Sequence, residues 1–226
     1  RGVLAITGPG VTPGYVEGSL DAEFFIQDMP DGARWANTGD LGTVDARGYI
    51  WLFGRSKDVI IRGGHNIDPR MIEDVLDQHP AVQISAAVGR PDNSKGEMPI
   101  AYVQLKEGAQ VTTAELLELC KARVQERAAV PLEIIILPQI PMTAVGKINK
   151  PVLRIDILRR VAQRTAADAL GTRGSCEITI DESGRRPCVQ LAVQVNDGDA
   201  EAVRTRLQNA FQNFEFLTRI DVVNKP

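Results

Sequence analysis

Residues 54 to 67 read G-R-S-K-D-V-I-I-R-G-G-H-N-I, a stretch that starts at Gly54 and ends at Ile67. It carries a charged run followed by a Gly-Gly pair and lies between segments that are rich in apolar residues. Two further polar loops accompany it: T-G-D ends at Asp40, and P-M-T-A-V-G-K ends at Lys147. Loops of this kind frequently carry function, because the scaffold holds them without needing them for packing. These three loops therefore form the candidate site.

Composition bounds the class of protein. The 226 residues hold one large or two small domains, and the 43% hydrophobic content is ordinary for a chain that buries a core. The net charge is −3, from 26 basic and 29 acidic residues without a long basic run, which argues against nucleic acid as a partner. No apolar run approaches the roughly 20 residues that span a bilayer, and the start lacks the shape of a signal peptide. We expect a cytoplasmic protein without a transmembrane segment.

The sequence gives no sign of a metal centre. No C-x-x-C spacing relates the three cysteines, Cys120, Cys176 and Cys188. The two histidines, His65 and His79, have no further potential metal ligands at a typical ligand spacing. We interpret the cysteines as small apolar residues, with a disulfide between Cys176 and Cys188 as the minor alternative.

The first third of the chain has the pattern of a small sheet. We predict strands over residues 3–7, 22–27 and 34–44, and a fourth over 48–53 that forms a hairpin with the third. The glycine and proline-rich loop from Gly8 to Gly14 has a turn composition and lacks the ending of a nucleotide P-loop.

The middle of the chain alternates helices and strands. Asp68 and Pro69 predict the start of a helix that ends before Pro80. Strands over 82–88 and 101–105 flank a predicted exposed loop over 89–99. Thr112 and Glu115 form a capping box for a second helix. A short strand over 133–137 leads into an irregular loop, and a third helix starts at Pro151. This order predicts a three-layer α+β domain.

The last quarter of the chain has the pattern of a separate extension. Residues 171–175 have the composition of a linker, and two strands, a helix over 199–213 and a strand over 218–223 follow. The predicted fold class is α+β: a small mixed-sheet lid domain flanked by helices, a β-hairpin remnant of a larger domain before it, and a ββαβ extension after it.

The ordered motifs identify a family. T-G-D, G-R-x-K-D, G-G-x-N-I and P-x-x-x-x-G-K, in this order, resemble the C-terminal end of the adenylate-forming enzymes: acyl-CoA synthetases, peptide-synthetase adenylation domains and luciferases. Each string alone is weak, and the G-K dipeptide or the charged turn is ordinarily a solvated surface feature. The resemblance covers about Val3 to Leu158 and is silent beyond about Leu170. It implies a C-terminal β remnant of a large AMP-binding domain over 1–54 and a lid domain over 55–170, and it leaves 171–226 as an extension of unknown role.

The resemblance implies roles for four residues. Lys147 corresponds to the catalytic lysine of adenylation, which fits a reaction that brings a carboxylate to the α-phosphate of ATP. Asp40 corresponds to the aspartate that binds both ribose hydroxyls, and Arg55 to an arginine that helps hold the ribose. Lys57 lies at the position of the hinge between an adenylation pose and a thioester-forming pose.

The Gly-Gly segment implies a thiol channel. Glycine lets a ligand's thin chain lie against backbone, and in the family this segment lines the tunnel for the pantetheine thiol. Gly63, Gly64, His65 and Asn66 are therefore candidates for contact with CoA. A general-base role for His65 is the weaker alternative, because the family does not require a histidine here.

The resemblance also implies what lies elsewhere. The family's phosphate loop, acyl pocket and magnesium-associated glutamate are absent from this sequence, so we expect a fragment that is inactive alone and lacks the Mg ligands. The implied partners are a missing N-terminal large domain, ATP or AMP, Mg, a carboxylic acid and CoA. The run G-K-I-N-K-P-V-L-R favours an acyl-CoA synthetase. The alternatives are an adenylation domain that loads a carrier protein, and a noncatalytic binding or regulatory module that uses the extension.

Overall fold

The chain packs as two compact units that divide between Val59 and Ile60. The structure is a computed structural model, and it describes residues 2–27, 29, 32–184, 186–196 and 200–224. The three domains that the sequence predicts, over residues 1–54, 55–170 and 171–226, stay a prediction.

The first unit is built around one long strand. Its elements are β1 (Gly2–Ile6), α1 (Asp21–Phe24), β2 (Phe25–Ile26), β3 (Trp35–Val44) and β4 (Ile50–Arg55). Strand β3 pairs antiparallel with β1, β2 and β4, so it is the centre of this four-stranded sheet. The predicted β3–β4 hairpin is confirmed.

The predicted strand over 22–27 is wrong for its first half. Residues Asp21–Phe24 form a helical turn, and only Phe25 and Ile26 pair with β3. Asp21 accepts a hydrogen bond from the Tyr15 backbone N–H at 2.8 Å, and Glu23 adds a second carboxylate to the first turn. Carboxylates at this end of a helix are favourable, so local polar contacts override the strand pattern.

A five-stranded mixed sheet, here called the central sheet, organises the second unit. Its strands and the helices between them are β5 (Ile60–Arg62), β6 (His65–Ile67), α2 (Arg70–Asp77), β7 (Val82–Asp92), β8 (Gly96–Leu105), α3 (Thr113–Arg123) and β9 (Ile134–Leu137). The order is β6-β5-β8-β7, with β9 parallel to β8 beside β5.

Helices cover both faces of this sheet, which confirms the predicted three layers. Ala87 and Val103 face α2 and α3, whereas Val88 and Ile100 face the helix that follows β9. The central strands are buried on both faces, which explains their continuous apolar runs. The capping box at α3 is also confirmed, with the Thr112 hydroxyl accepting from the Glu115 N–H at 3.2 Å.

The predicted exposed loop over 89–99 is wrong. Strand β7 continues to Asp92 and β8 begins at Gly96, so the two strands form one long hairpin. The Asp92 carboxylate accepts from the backbone N–H groups of Ser94 and Lys95, at 3.0 and 2.9 Å, and closes the turn. The arms are polar here because they extend beyond the helices that bury the rest of the sheet.

Helix α4 (Lys150–Leu170) joins the central sheet to the extension, residues 171–226. The extension consists of β10 (Gly174–Asp181), β11 (Cys188–Val195), α5 (Ala200–Phe211) and β12 (Leu217–Asn224), which confirms the ββαβ order. Strand β11 pairs antiparallel with β10 and parallel with β12. The predicted linker is short, because Gly171 ends α4 with a positive φ of 57° and β10 already begins at Gly174.

Helix α4 thus contributes side chains to two apolar cores. Leu153 and Ile157 pack against the central sheet, whereas Leu158, Ala162 and Leu170 pack against β11 and α5. The three cysteines are free; burial raises the pKa of the Cys120 thiol to about 11, as expected for a core residue. None of the described helices has the length and apolar composition to cross a bilayer.

Because α4 links the two cores, we predict that the central sheet and the extension unfold together. Leu191 is 1% exposed in the extension core, and Leu191→Ala should lower the free energy of unfolding by about 2–5 kcal/mol. Amide hydrogen exchange should show equal loss of protection in β8 and β11. Ala192→Ser, on the exposed face of the same strand, is the control. Faster exchange in β11 alone would contradict a shared unit.

Candidate functional site

Asp40 and Arg55 meet across the first sheet. They are directly paired in the β3–β4 register, and Arg55 Nε lies 3.3 Å from Asp40 Oδ1. The side chains are 36% and 53% exposed, so their ion pair contributes at most about 1 kcal/mol to folding. The pair presents a carboxylate and a guanidinium to solvent, and such groups suit a polyhydroxylated, anionic ligand.

The T-G-D segment, predicted as a loop, lies within strand β3, and side-chain hydrogen bonds hold its backbone. The Thr38 hydroxyl donates to the Leu4 carbonyl at 2.8 Å and accepts from the Asp40 N–H at 3.1 Å. Gly39, between them, has a φ of 71°, a value that strongly favours glycine. The carboxylate therefore projects from a fixed backbone.

A depression of about 320 Å³ in the first unit is lined by Arg55 of this pair and by Gly39, the residue before Asp40. Thr38, Gly39 and Arg55 line one side, and the rings of Tyr15 and Phe24, 5.3 Å apart in an edge-on arrangement, line another. Aromatic rings next to a guanidinium and a carboxylate fit a nucleoside bearing phosphate. The residues present are therefore compatible with the ribose of ATP or AMP.

Lys57 lies at the rim of the same depression. It is exposed in a 3-10 turn, Ser56–Asp58, whose Ser56 hydroxyl donates to the Gly39 carbonyl at 3.1 Å. The boundary between the compact units follows at Val59. The predicted hinge position is thus close to the point where packing changes from one unit to the other.

The Gly63–Gly64 pair makes the tight turn between β5 and β6. Their φ angles are 54° and 86°, and both must be positive in the favoured two-residue hairpin turn. The Gly63 N–H donates to the Lys95 carbonyl at 2.8 Å, which ties this turn to the β7–β8 turn. The segment is exposed, so backbone is open to a ligand.

His65 and Asn66 follow on β6 and are also exposed. His65 Nδ1 lies 3.6 Å from Glu126 Oε1, a surface contact that is attractive only when the imidazole is protonated. A general-base role for His65 stays a prediction.

Lys147 follows a tight turn in the loop between β9 and α4. The Gly146 N–H donates to the Thr143 carbonyl at 2.9 Å, and the Thr143 N–H donates to the Lys147 carbonyl at 2.7 Å. Met142 and Ile148 form a bridge below the turn, so the loop is a miniature hairpin. The Lys147 side chain is exposed, and its stem is free to extend from a braced backbone.

The comparisons with known proteins find a family domain and curated relatives. The AMP-binding enzyme C-terminal domain matches residues 71–147, a segment that ends on Lys147. Marinolic acid–CoA ligase from Pseudoalteromonas sp. (strain SANK 73390) is 41% identical over 215 residues, or 95% of this chain and 32% of that protein. Medium-chain fatty-acid–CoA ligase from Escherichia coli (strain K12) is 36% identical over 164 residues, or 72% and 28%.

The chain is also similar to a solved structure. ATP-bound MatB from Rhodopseudomonas palustris is 32% identical with a TM-score of 0.62, over 70% of this chain and 30% of that one. The chain corresponds to the C-terminal portion of the adenylate-forming acyl-CoA ligases. It spans about a third of the length of the curated relatives it matches.

The predicted site residues of this acyl-CoA ligase portion fall into two sets. Asp40, Arg55 and Lys57 belong to the first unit, whereas Gly63–Asn66 and Lys147 belong to the second. Among the described residues, no group of three or more His, Cys, Asp or Glu side chains could hold a metal ion.

Sequence reasoning missed Glu97. Its carboxylate accepts the Ile61 N–H at 2.9 Å, one strand residue away from the Gly-Gly turn, and its side chain fills the space above Gly89. Burial raises the pKa of the Glu97 carboxyl, and Glu215 of the extension raises it further, against the opposing effect of Arg154. A charged residue inside an apolar strand was the available signal, but the predicted loop concealed it.

The raised pKa predicts a pH-dependent stability. The folded state holds the Glu97 proton more tightly than the unfolded state, so the bound proton stabilises the fold. This stabilisation is complete below the ordinary pKa of 4.5 and disappears as the pH rises through the pKa of Glu97 in the folded state. Glu97→Gln keeps an oxygen for the Ile61 N–H and removes the charge. Its melting temperature should exceed that of the wild type at pH 8, and the difference should shrink towards pH 4.

Exposed Glu107 provides the control, since Glu107→Gln should show no such trend. An effect of Glu97→Gln that is equal at pH 4 and pH 8 would show that charge burial is not its cause.

Proposed function

We propose that this chain is the C-terminal part of an ATP-dependent acyl-CoA synthetase and is inactive without the large domain. A substrate carboxylate oxygen attacks the α-phosphorus of ATP, the bond to pyrophosphate breaks, and acyl-AMP forms. The CoA sulfur, after its proton leaves to solvent, attacks the acyl carbon, and AMP leaves. The observation that carries the proposal is the exposed Lys147 on its braced hairpin, at the end of the segment that matches the family domain.

Lys147 supplies the positive charge for the first step. Carboxylate and triphosphate repel each other, and the transition state places further negative charge on the phosphoryl oxygens. An ammonium group on a long, exposed side chain can stabilise that charge while the backbone of Lys147 stays in place. Removal of such a group mainly affects the chemical step.

Asp40 and Arg55 bind the nucleotide in this proposal. The Asp40 carboxylate accepts hydrogen bonds from the ribose hydroxyls, and the Arg55 guanidinium holds the carboxylate and adds positive charge beside it. MatB binds ATP, and this chain is similar to it over 70% of its length, which supports the assignment.

The second step uses the residues after the hinge. In the proposal Lys57 is the point of rotation, the domain over 55–170 is the lid, and Gly63, Gly64, His65 and Asn66 contact the pantetheine arm. The exposed Gly63–Gly64 backbone supports this role, because the space where a side chain would stand on Gly64 is open. The names of the two curated relatives specify CoA ligases, which favours CoA over a carrier protein as the thiol.

Lys147→Ala tests the first step in the full-length protein. Acyl-adenylate formation should fall by roughly 10²–10³-fold, because a charge-stabilising group is lost. Thioester formation from supplied acyl-adenylate should be unchanged. Pyrophosphate release and thioester yield measure the two half-reactions, and Lys121→Ala, an exposed lysine on α3, is the control. Equal loss in both half-reactions would refute a role confined to adenylation.

Lys57→Pro tests the hinge. Proline fixes φ near −65° and should restrict rotation at this residue. We expect adenylation to persist while thioester formation from acyl-adenylate falls by at least about tenfold. Lys57→Ala, which removes the side chain but not the backbone freedom, should retain both half-reactions. Normal thioester formation by the proline variant would remove the hinge role.

A further inference from the structure

Helix α4 begins in a way that normal helix chemistry disfavours. Its first residue is Lys150, its first turn contains no acidic side chain, and Asn149 makes no side-chain capping hydrogen bond. A positive charge at a helix N-terminus is unfavourable, because the N-terminal N–H groups already carry partial positive charge. Another interaction must therefore compensate the charge of Lys150.

That interaction is a buried ion pair. Lys150 Nζ lies 2.7 Å from Glu73 Oε1, and the two side chains are only 15% and 14% exposed. The exposed Lys121–Glu118 pair has the same 2.7 Å separation, with side chains 52% and 71% exposed. Buried pairs hold their geometry more firmly than exposed ones, since loss of one partner leaves an uncompensated charge.

Glu73 links three elements. The same Oε1 atom accepts the Ala87 backbone N–H at 2.8 Å, so α2, β7 and α4 meet at one carboxylate. Ala87 is fully buried in the central sheet. The start of α4 is thus fixed to the most rigid part of the second unit.

The Lys147 loop ends at this junction. At its other end Ile140 is 1% exposed, and the Ile140 N–H donates to Gln104 Oε1 at 2.8 Å. Between the ends, the Asn149 N–H donates to the Pro141 carbonyl at 2.8 Å. Lys150 lies three positions after Lys147, which limits their Cα separation to about 10 Å. Movement at Lys150 is therefore transmitted to Lys147.

We propose that Lys150 is a positioning residue that acts through its ion pair with Glu73 to hold Lys147 in its reactive place. The inference rests on the proposed role of Lys147 in adenylation. Lys150 does not contact the reacting atoms; its ammonium is already committed to Glu73. Misplacement of a catalytic group by about 1 Å can reduce a rate 10²-fold, so a distant anchor has a measurable effect.

The test uses the full-length protein and three variants. Lys150→Gln removes the charge, Lys150→Arg restores it, and Glu73→Gln removes the partner charge while keeping an oxygen for the Ala87 N–H. Lys121→Gln, which breaks the exposed pair of equal length, is the matched control. The readouts are the two half-reactions, the amide exchange rates of Gly146 and Asn149, and the melting temperature.

We expect Lys150→Gln and Glu73→Gln to slow adenylation by about 10–100-fold and to speed exchange at Gly146 and Asn149. Thioester formation from supplied acyl-adenylate should be unchanged, Lys150→Arg should recover most of the rate, and Lys121→Gln should resemble the wild type. In a Lys147→Ala background, Lys150→Gln should cause no further loss of adenylation, since its effect passes through Lys147.

Three results would overturn the proposal. Normal adenylation and normal amide exchange in Lys150→Gln and Glu73→Gln would show that the ion pair does not position Lys147. If Lys147→Ala still lost adenylation in that case, the proposed function would stand. Equal loss of both half-reactions together with a lower melting temperature would show a purely structural pair. Normal adenylation in Lys147→Ala would refute the proposed function itself.

Discussion

Helix α4 is the constraint on which the second unit depends, because 21 residues of one rigid element take part in two separate cores and in the loop that carries Lys147. A helix of this length extends about 31 Å, enough to cross the central sheet and reach the extension. Tyr102 of β8 donates its hydroxyl hydrogen to Asp156 of α4 at 2.7 Å, so a polar contact adds to the apolar packing. The central sheet, the extension and the Lys147 loop therefore belong to one compact unit.

This arrangement separates the residues that stabilise the fold from those proposed to act. The apolar faces of β7 and β8 are buried on both sides, whereas Gly64 and Lys147 lie on exposed turns and Asp40 lies on β3 with a partly exposed side chain. Hydrogen bonds nevertheless brace the backbone of each of these segments. Exposed groups on rigid supports can meet a substrate without a large loss of conformational entropy.

The extension is the feature that distinguishes this chain from a minimal lid. The match to marinolic acid–CoA ligase covers 95% of the chain, so that relative shares most of the extension. Its sheet is apolar on the side of α4 and α5 and polar on the other, where Glu177, Gln190 and Arg219 lie. Since it packs on α4, any rotation at the proposed hinge carries the extension along with the lid.

Much of the fold and of the site was accessible from the sequence by itself. Periodicity and capping signals are local, so the three layers, the capping box of α3, the ββαβ order and the exposed loop of Lys147 were predicted correctly. The roles that the ordered motifs imply for Asp40, Arg55 and the Gly-Gly turn stay predictions.

Only the tertiary structure decided the rest, because the deciding contacts join residues that are far apart in the chain or reverse a local preference. The helical turn at Asp21, the long β7–β8 hairpin and the burial of Glu97 against Ile61 all depend on such contacts. The Lys150–Glu73 pair is the clearest case, since a lysine at a helix start is locally unfavourable and becomes favourable only when another helix brings a carboxylate to it.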